Sequence, residues 1–366
     1  AQHLRRTLES AGLVPTRLEE CVYTLRDKDP ATHIRNGRIL VLIAVYVDDL
    51  LICGKPENIK LVVRELVKHY ELSKNERVNS FLGIDVEYTM GRDMRLSQQR
   101  AIERMMETFG IQENPRATTP LLASPILPPS EEEREESQNQ VDLYRRKVGT
   151  LNWFAMATRP DLAHALSKLS RHLAAPSPTA IRNLHRTLAY LANTRHYEFV
   201  IARNNLSGCV LNGYSDASWG NNNLDPRSTS GVLLRLGQTP IFWKAQTQSL
   251  SSSSSMQAEF IAAALASDYI FYMRALLEEM GAEQEEPTLL RLDSTAAIGA
   301  VTSDTLTKAT KFIAIRYHRI RDFVRDSVLK LSYVMSAENL ADIFTKQQTI
   351  ALFKEQLGHL ALKVKE

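Results

Sequence analysis

The stretch Cys209-Val210-Leu211-Asn212-Gly213-Tyr214-Ser215-Asp216-Ala217-Ser218-Trp219 decides how the rest of the chain is read. It begins as a strand. Val210 and Leu211 bring β-branched or bulky apolar side chains, and Gly213 lets neighbouring backbone come close. Asp216 then stands where a buried strand should stay apolar. A carboxylate there is costly to bury unless a cation neutralises it. A metal ion is the simplest neutraliser, and it calls for further carboxylates from elsewhere in the chain.

Three downstream acids have suitable settings. Glu259 lies near the start of a helix expected over Met256 to Met280, where Ile261, Leu265, Tyr269, Met273, Leu276 and Met280 recur at helical spacing. It shares another face with Ala262, Ala263 and Ala266, small enough to let a helix lie close on a sheet. Ser254 and Gln257 fit a capping box. Asp293 ends the apolar run Leu289-Leu290-Arg291-Leu292, which reads as a buried strand. Asp342 follows Asn339-Leu340-Ala341 and opens a short helix. Singly, each is better read as a surface acid among the chain's 42. Together, and in order, they form a constellation. Two divalent ions about 4 Å apart can hold both the attacking water and the leaving oxygen of a phosphodiester cleavage. Hard Mg2+ takes oxygen ligands, and the sequence has no Cys/His cluster spaced for zinc.

Gly213-Tyr214-Ser215-Asp216-Ala217, Ser228-Thr229-Ser230-Gly231, Ala258-Glu259-Phe260, Ile315-Arg316-Tyr317-His318 and Leu340-Ala341-Asp342-Ile343-Phe344-Thr345-Lys346 resemble the ribonuclease H domain of copia-type LTR retrotransposon Pol polyproteins. The resemblance implies an RNase H fold, two Mg2+ ions with Mn2+ as a substitute, and hydrolysis of the RNA strand of an RNA–DNA hybrid. By match, Asp216, Glu259, Asp293 and Asp342 take the catalytic and metal-ligand roles. Three departures stand out. Ser294 replaces an asparagine, and Gln257-Ala258-Glu259 replaces Glu-Ala-Glu. Thr310-Lys311-Phe312-Ile313-Ala314-Ile315 lacks the family's histidine and acid. They keep open an alternative: a catalytically inactive, decayed or host-adopted nucleic-acid-binding or assembly protein.

Towards the N-terminus, a helix is expected over Leu4 to Ala11 and a strand over Cys21 to Leu25. Arg38 to Cys53 reads as an apolar hairpin with Asp48-Asp49 at its tip. Two acids without a glycine make a poor tight turn, which favours a metal role for Asp48 and Asp49 over a plain hairpin. Tyr46-Val47-Asp48-Asp49, followed by Leu50-Leu51-Ile52 and Phe81-Leu82-Gly83-Ile84, resembles copia-type reverse transcriptase. That family carries a further catalytic aspartate well upstream, and no acid here stands in the matching context. The polymerase site is therefore expected to be incomplete in this chain, with the end of the palm and part of a thumb present.

The expected organisation is α+β and α/β, multidomain: a partial reverse-transcriptase palm and thumb over 1–120, a flexible acidic linker over 121–140 and a helical connection over 141–205. A mixed-sheet RNase H-like domain over 206–346 and a tail over 347–366 follow. The linker expectation rests on Pro125, Pro128, Pro129 and the charged run from Ser130 to Glu136. Arg145, Arg146, Lys147, Lys168, Arg171, Arg182 and Arg186 are candidate phosphate contacts, with a solvated helix surface as the bland reading. Tyr144 and Trp153 read as core. His318 is a candidate substrate contact, though packing beside Tyr317 is the simpler role.

With 366 residues, more than one domain is expected. A net charge of +3 is compatible with nucleic acid. Three scattered cysteines argue against a disulfide framework. Ile39 to Val47 is too short an apolar run for a bilayer, and no signal peptide is visible. Expected partners are an RNA–DNA hybrid and primer-template, along with the remaining polymerase portion or other Pol and Gag proteins, and no membrane. The expected setting is intracellular: cytoplasm, virus-like particles or nucleus.

Overall fold

The computed structural model describes residues 2–27, 37–73, 78–88, 91, 93–136, 138–203, 209–220, 227–303, 313 and 315–365. The chain forms two compact units, Ala1–Tyr88 with Phe271–Glu285, and Thr89–Ile270 with Glu286–Glu366. The sequence placed the first boundary at 121–140.

The first unit holds helix α1 (Gln2–Ser10), strands β1 (Val14–Pro15), β2 (Val22–Arg26), β3 (Ile39–Tyr46) and β4 (Asp49–Gly54), helix α2 (Pro56–Leu66), and strands β5 (Ser80–Phe81) and β6 (Ile84–Tyr88). β1 to β4 form an antiparallel sheet in sequence order. Its core is Leu8, Leu13, Tyr23, Val41, Ile43, Val62 and Leu66. Alternate residues of β3, Val41 and Ile43, are the ones fully buried, as a one-sided strand requires.

The second unit opens with β7 (Met94–Ser97), α3 (Gln99–Phe109), α4 (Glu131–Glu136), α5 (Gln138–Ala157), α6 (Ala163–Leu169), α7 (Pro178–Asn193) and β8 (Tyr197–Ile201). The central sheet comprises β9 (Leu211–Ser218), β10 (Thr229–Leu236), β11 (Thr239–Thr247), β12 (Thr288–Leu292) and β13 (Leu329–Tyr333). Helices α8 (Ser255–Glu279), α9 (Thr295–Thr302), α10 (Arg319–Arg325) and α11 (Ile350–His359), and strand β14 (Leu362–Val364), complete the chain. The sheet order is β11-β10-β9-β12-β13, antiparallel through β11, β10 and β9 and parallel through β9, β12 and β13. This is the mixed sheet the sequence called for.

Residues 121–140 depart from the flexible linker expected of them. Leu121 is buried, the Leu122 N–H donates to Asn183 Oδ1 at 2.9 Å, and the Leu127 N–H donates to Thr179 Oγ1 at 3.0 Å. Ser130 begins α4 with a complete capping box: the Glu133 N–H donates to Ser130 Oγ, and the Ser130 N–H donates to the Glu133 carboxylate. Acidic residues in a first helical turn are favoured by the helix dipole, so this charge run forms helix. The tail after 346 also has a clear role. Phe353, Leu357, Leu360 and Leu362 enter the main core, and β14 pairs with β8. Tyr144 is buried as expected, but Trp153 is 38% exposed, a correction to its core reading.

Helix α8 is long and apolar enough to cross a membrane by length and composition. Its Ala258, Phe260, Ala262, Ala263, Ala266 and Ile270 are fully buried within the fold, which accounts for the apolar composition.

Candidate active site

Parallel pairing of β9 with β12 brings their carboxyl ends together. Asp216 lies near the end of β9, Asp293 directly follows β12, and Asp342 opens a single 3-10 turn, Asp342–Phe344. One carboxylate oxygen from each of Asp216, Asp293 and Asp342 lies within 4.8 Å of the other two. Glu259 reaches the same place from α8, where its Oε1 accepts the Ala217 N–H at 3.2 Å. The sequence-expected acids therefore converge as three aspartates with the glutamate beside them.

Residues outside the acidic set hold this arrangement. Gly231 on β10 pairs directly with Asp216. A Cβ at Gly231 would fall 2.7 Å from Thr345 Cγ2 and 2.8 Å from the Ala341 carbonyl oxygen, so the missing side chain is what admits the Asp342 turn onto the sheet. Asn339, fully buried, donates from Nδ2 to the Ser215 carbonyl at 2.9 Å and accepts the Ala341 N–H at Oδ1. Thr345 donates its hydroxyl to Asp216 Oδ2, and Ser336 donates to Asp293 Oδ2. Ser254 Oγ caps α8 by accepting the Gln257 N–H, as the sequence suggested. Ser294 caps α9, a helix the sequence reading did not foresee, by accepting the Ala297 N–H at 3.1 Å.

Burial, then the charges of Asp216 and Asp293, push the Glu259 carboxyl well above the usual range, opposed by the Ala217 N–H. Burial, then the charge of Asp342, raise Asp216, opposed by the Thr345 hydroxyl. Lys346 Nζ lies 2.6 Å from Asp342 Oδ2. Among the described residues, Glu259 Oε2 and Asp342 Oδ1 are buried with no hydrogen-bond partner. Such oxygens are expensive to leave unmet. An all-oxygen, mostly buried donor set of this kind fits a hard divalent cation.

Residues 13–123 match the reverse transcriptase (RNA-dependent DNA polymerase) family. The chain is 30% identical over 322 residues to the retrovirus-related Pol polyprotein of transposon RE1 from Arabidopsis thaliana, covering 88% of this chain and 22% of that protein. It is 29% identical over 361 residues to the corresponding polyprotein of transposon TNT 1-94 from Nicotiana tabacum, covering 96% and 26%. The Ty1-DR5 Gag-Pol polyprotein of Saccharomyces cerevisiae is 25% identical over 332 residues, covering 86% and 19%. Copia-type transposon Pol polyproteins are thus homologous to this chain over most of its length. It spans about a quarter or less of the length of these relatives. Among solved structures, LC11-RNase H1 in complex with RNA/DNA hybrid aligns at 13% identity and TM-score 0.29, covering 37% of this chain and 93% of that one. A foamy viral protease-reverse transcriptase in complex with RNA/DNA hybrid aligns at 12% identity and TM-score 0.44, covering 84% and 37%.

Elsewhere in this chain, Asp48 and Asp49 are exposed at the tip of the β3–β4 hairpin. The tight turn judged poor from sequence does form, over Val47 and Asp48. Val47 has φ of 51°, a left-handed conformation that strains a β-branched residue. Among the described residues, no third ligand group joins the two acids.

The basic candidates divide by environment. Lys147 is buried, and burial lowers its pKa. Arg186 donates to the carbonyls of Thr119 and Leu121 at 3.0 and 3.1 Å. Arg145 donates to the Leu173 carbonyl at 2.9 Å, and Arg146 lies 6.0 Å from the Phe109 ring centroid. Arg182 is exposed. Lys168 and Arg171 reach the central sheet at Thr229. His318 packs on Phe260, with ring centroids 5.5 Å apart, next to Glu259 in sequence. The segment Thr310 to Phe312 and Ala314 lie outside the described residues.

Proposed function

We propose that the second unit is a divalent-metal-dependent ribonuclease H that hydrolyses the RNA strand of RNA–DNA hybrids. The observation that carries this reading is the convergence of Asp216, Asp293 and Asp342 within 4.8 Å, with the unpartnered oxygens of Glu259 and Asp342 beside them. Asp216, Glu259, Asp293 and Asp342 would hold the cations. Bound Mg2+ supplies Lewis-acid stabilisation of the phosphodiester and an activated water. The chain's own residues fix the carboxylates. Thr345 orients Asp216, Ser336 orients Asp293, and the Ala217 N–H orients Glu259. The sheet and α8 keep the glutamate and two of the aspartates out of bulk water. Mixed α/β architecture and homology to Pol polyproteins over most of the chain support the same reading.

Cleavage of a labelled RNA–DNA hybrid by the purified chain, with and without Mg2+, tests it. Mg2+-dependent release of RNA fragments, absent with an all-DNA duplex, is expected. A folded chain that binds hybrid without cutting it, with Mg2+ or Mn2+, would instead support the host-adopted, non-catalytic alternative. Polymerase activity is not part of the proposal for this chain alone, because Asp48 and Asp49 stand without a third carboxylate among the described residues.

A further inference from the structure

The face of the central sheet that bears Asp216 carries a second charged cluster, of the opposite sign. Directly opposed residues share a face, and side chains alternate faces along a strand. Two rows of side chains therefore cross this face below the acids. In the nearer row Tyr214 on β9 pairs with Arg291 on β12. In the farther row Asn212 pairs with Arg235 on β10 and with Leu289, which in turn pairs with Lys330 on β13. The rows lie two and four residues from Asp216, or about 7 and 13 Å along β9. Neither row contains an acid. Arg235, Arg291 and Tyr214 are partly exposed, and Lys330 is exposed.

The two guanidiniums are held in place with donors to spare. Arg291 stacks on Tyr214, 5.1 Å from the ring centroid, and donates from Nη1 to Asn212 Oδ1 at 3.3 Å. Asn212 is itself fixed, donating from Nδ2 to the Gly237 carbonyl at 2.8 Å. Arg235 donates from Nε to the Gln238 carbonyl at 2.9 Å, in the turn between β10 and β11. A guanidinium carries five N–H donors, so each arginine keeps several for a ligand. Among the described residues, no carboxylate pairs with Arg235, Arg291 or Lys330. Asp216 and Asp293 stand nearest on this face, and they accept from Thr345 and Ser336 instead. Burial lowers the pKa of Arg235, the Tyr214 hydroxyl raises it, and the charge of Arg291 lowers it. Like charges that share a part-buried place without a counter-charge are costly, and a bound anion removes that cost.

We propose that Arg235 and Arg291, with Lys330 at the rim, form an anion site that takes a phosphoryl group. Planar forks of N–H donors match pairs of phosphate oxygens, and three positive charges exceed what one carboxylate neutralises. A nucleic-acid backbone and a free polyphosphate both supply such a group, and the test separates them. The site uses none of the four acids and stands apart from the nuclease reading.

The test follows melting of the full chain in EDTA, at constant ionic strength, as sodium pyrophosphate is added. EDTA keeps pyrophosphate from reaching the acids through a metal. A saturable rise in melting temperature is expected, with the apparent affinity weakened about tenfold in R235Q/R291Q and partly kept in R235K/R291K. Loss of stacking on Tyr214 alone would lower melting equally with and without pyrophosphate. No rise in the parent, an unchanged pyrophosphate increment in the folded double variant, or an equal rise with succinate overturns the site. Should the double variant fail to fold, R235Q alone decides: about threefold weaker binding is expected, and no change rejects the site. A labelled single strand of DNA, read by anisotropy in the same buffer, then identifies the source. A slope of log K against log salt flattened by about 1.4 in R235Q/R291Q, for two lost contacts, assigns the nucleic-acid backbone. An unchanged slope, with pyrophosphate binding lost, assigns a free polyphosphate.

Discussion

Gly231 faces Asp216 directly across the β9–β10 pair, and the space its missing side chain leaves is filled by the turn that carries Asp342. The acid on one strand thus depends on the absence of a Cβ on the next. Gly231→Ala places a methyl carbon 2.7 Å from Thr345 Cγ2 and 2.8 Å from a main-chain oxygen, and backbone cannot give way cheaply. We expect a loss of about 1–3 kcal/mol of stability and a fall in hybrid cleavage larger than the stability loss explains. Denaturant melts and cleavage rates measured at a temperature where the variant is still folded check both. Wild-type cleavage by Gly231→Ala would show that the turn need not sit where it does.

Asp216→Asn keeps the shape of the side chain and its acceptor for the Thr345 hydroxyl, and removes a charge that burial disfavours. Its metal-free melting temperature should equal or exceed that of the parent, its Mg2+-induced rise should shrink, and hybrid cleavage should be abolished. Full activity in this variant would sink the assignment of Asp216 as a metal ligand.

His164 is buried on α6, and burial, followed by the positive charges of Lys168 and Arg171, pushes its pKa down to about 3. The unfolded chain therefore binds a proton near pH 6.5 that the folded chain refuses. Its contribution to stability is complete above pH 6.5 and is lost as pH falls from there towards 3, by up to about 1.4 kcal/mol per pH unit. Unfolding free energies at pH 7.5, 6 and 5 should fall more steeply for the wild-type chain than for His164→Asn. Parallel curves would mean that His164 accepts its proton in the folded state.

The 366-residue chain on its own should extend no primer on an RNA or DNA template, with Mg2+ or Mn2+. Asp48 and Asp49 offer two carboxylates from one exposed hairpin, whereas clamping two ions for phosphoryl transfer needs ligands from more than one element. Templated extension that disappears in Asp48→Asn would require another acid to complete that site.

Local chemistry was legible in the sequence. The helix expected over 256–280 forms over Ser255–Glu279, and its alanine face is buried. The strands expected from Val210-Leu211 and from Leu289 to Leu292 form as β9 (Leu211–Ser218) and β12 (Thr288–Leu292), because each carries its own apolar run. The acidic run at 131–136 was misjudged: its charge was weighed, but the Ser130–Glu133 capping box, equally visible, was not. Helix α9 was missed because Ser294 was weighed only as a departure from the family's asparagine. Asp216 could be named because it interrupts an apolar strand, a local signal, whereas Glu259, Asp293 and Asp342 stood out only together with it, in order and by the family resemblance.

What only the tertiary structure decided is where those residues meet and what surrounds them. Nothing in the spacing of Gly231, Asn339 and Thr345 marks them as the supports of Asp216, since each acts on a partner brought to it by strand register. The basic residues were equivalent as letters. Packing divided them, burying Lys147, tying Arg186 to main-chain carbonyls, and bringing Lys168 and Arg171 to the central sheet at Thr229 and Thr247. The physical reason is the same throughout. Propensity, capping and amphipathic period act over a few residues and can be read from sequence. Burial, charge proximity and the room left by one missing Cβ depend on residues far apart in the chain.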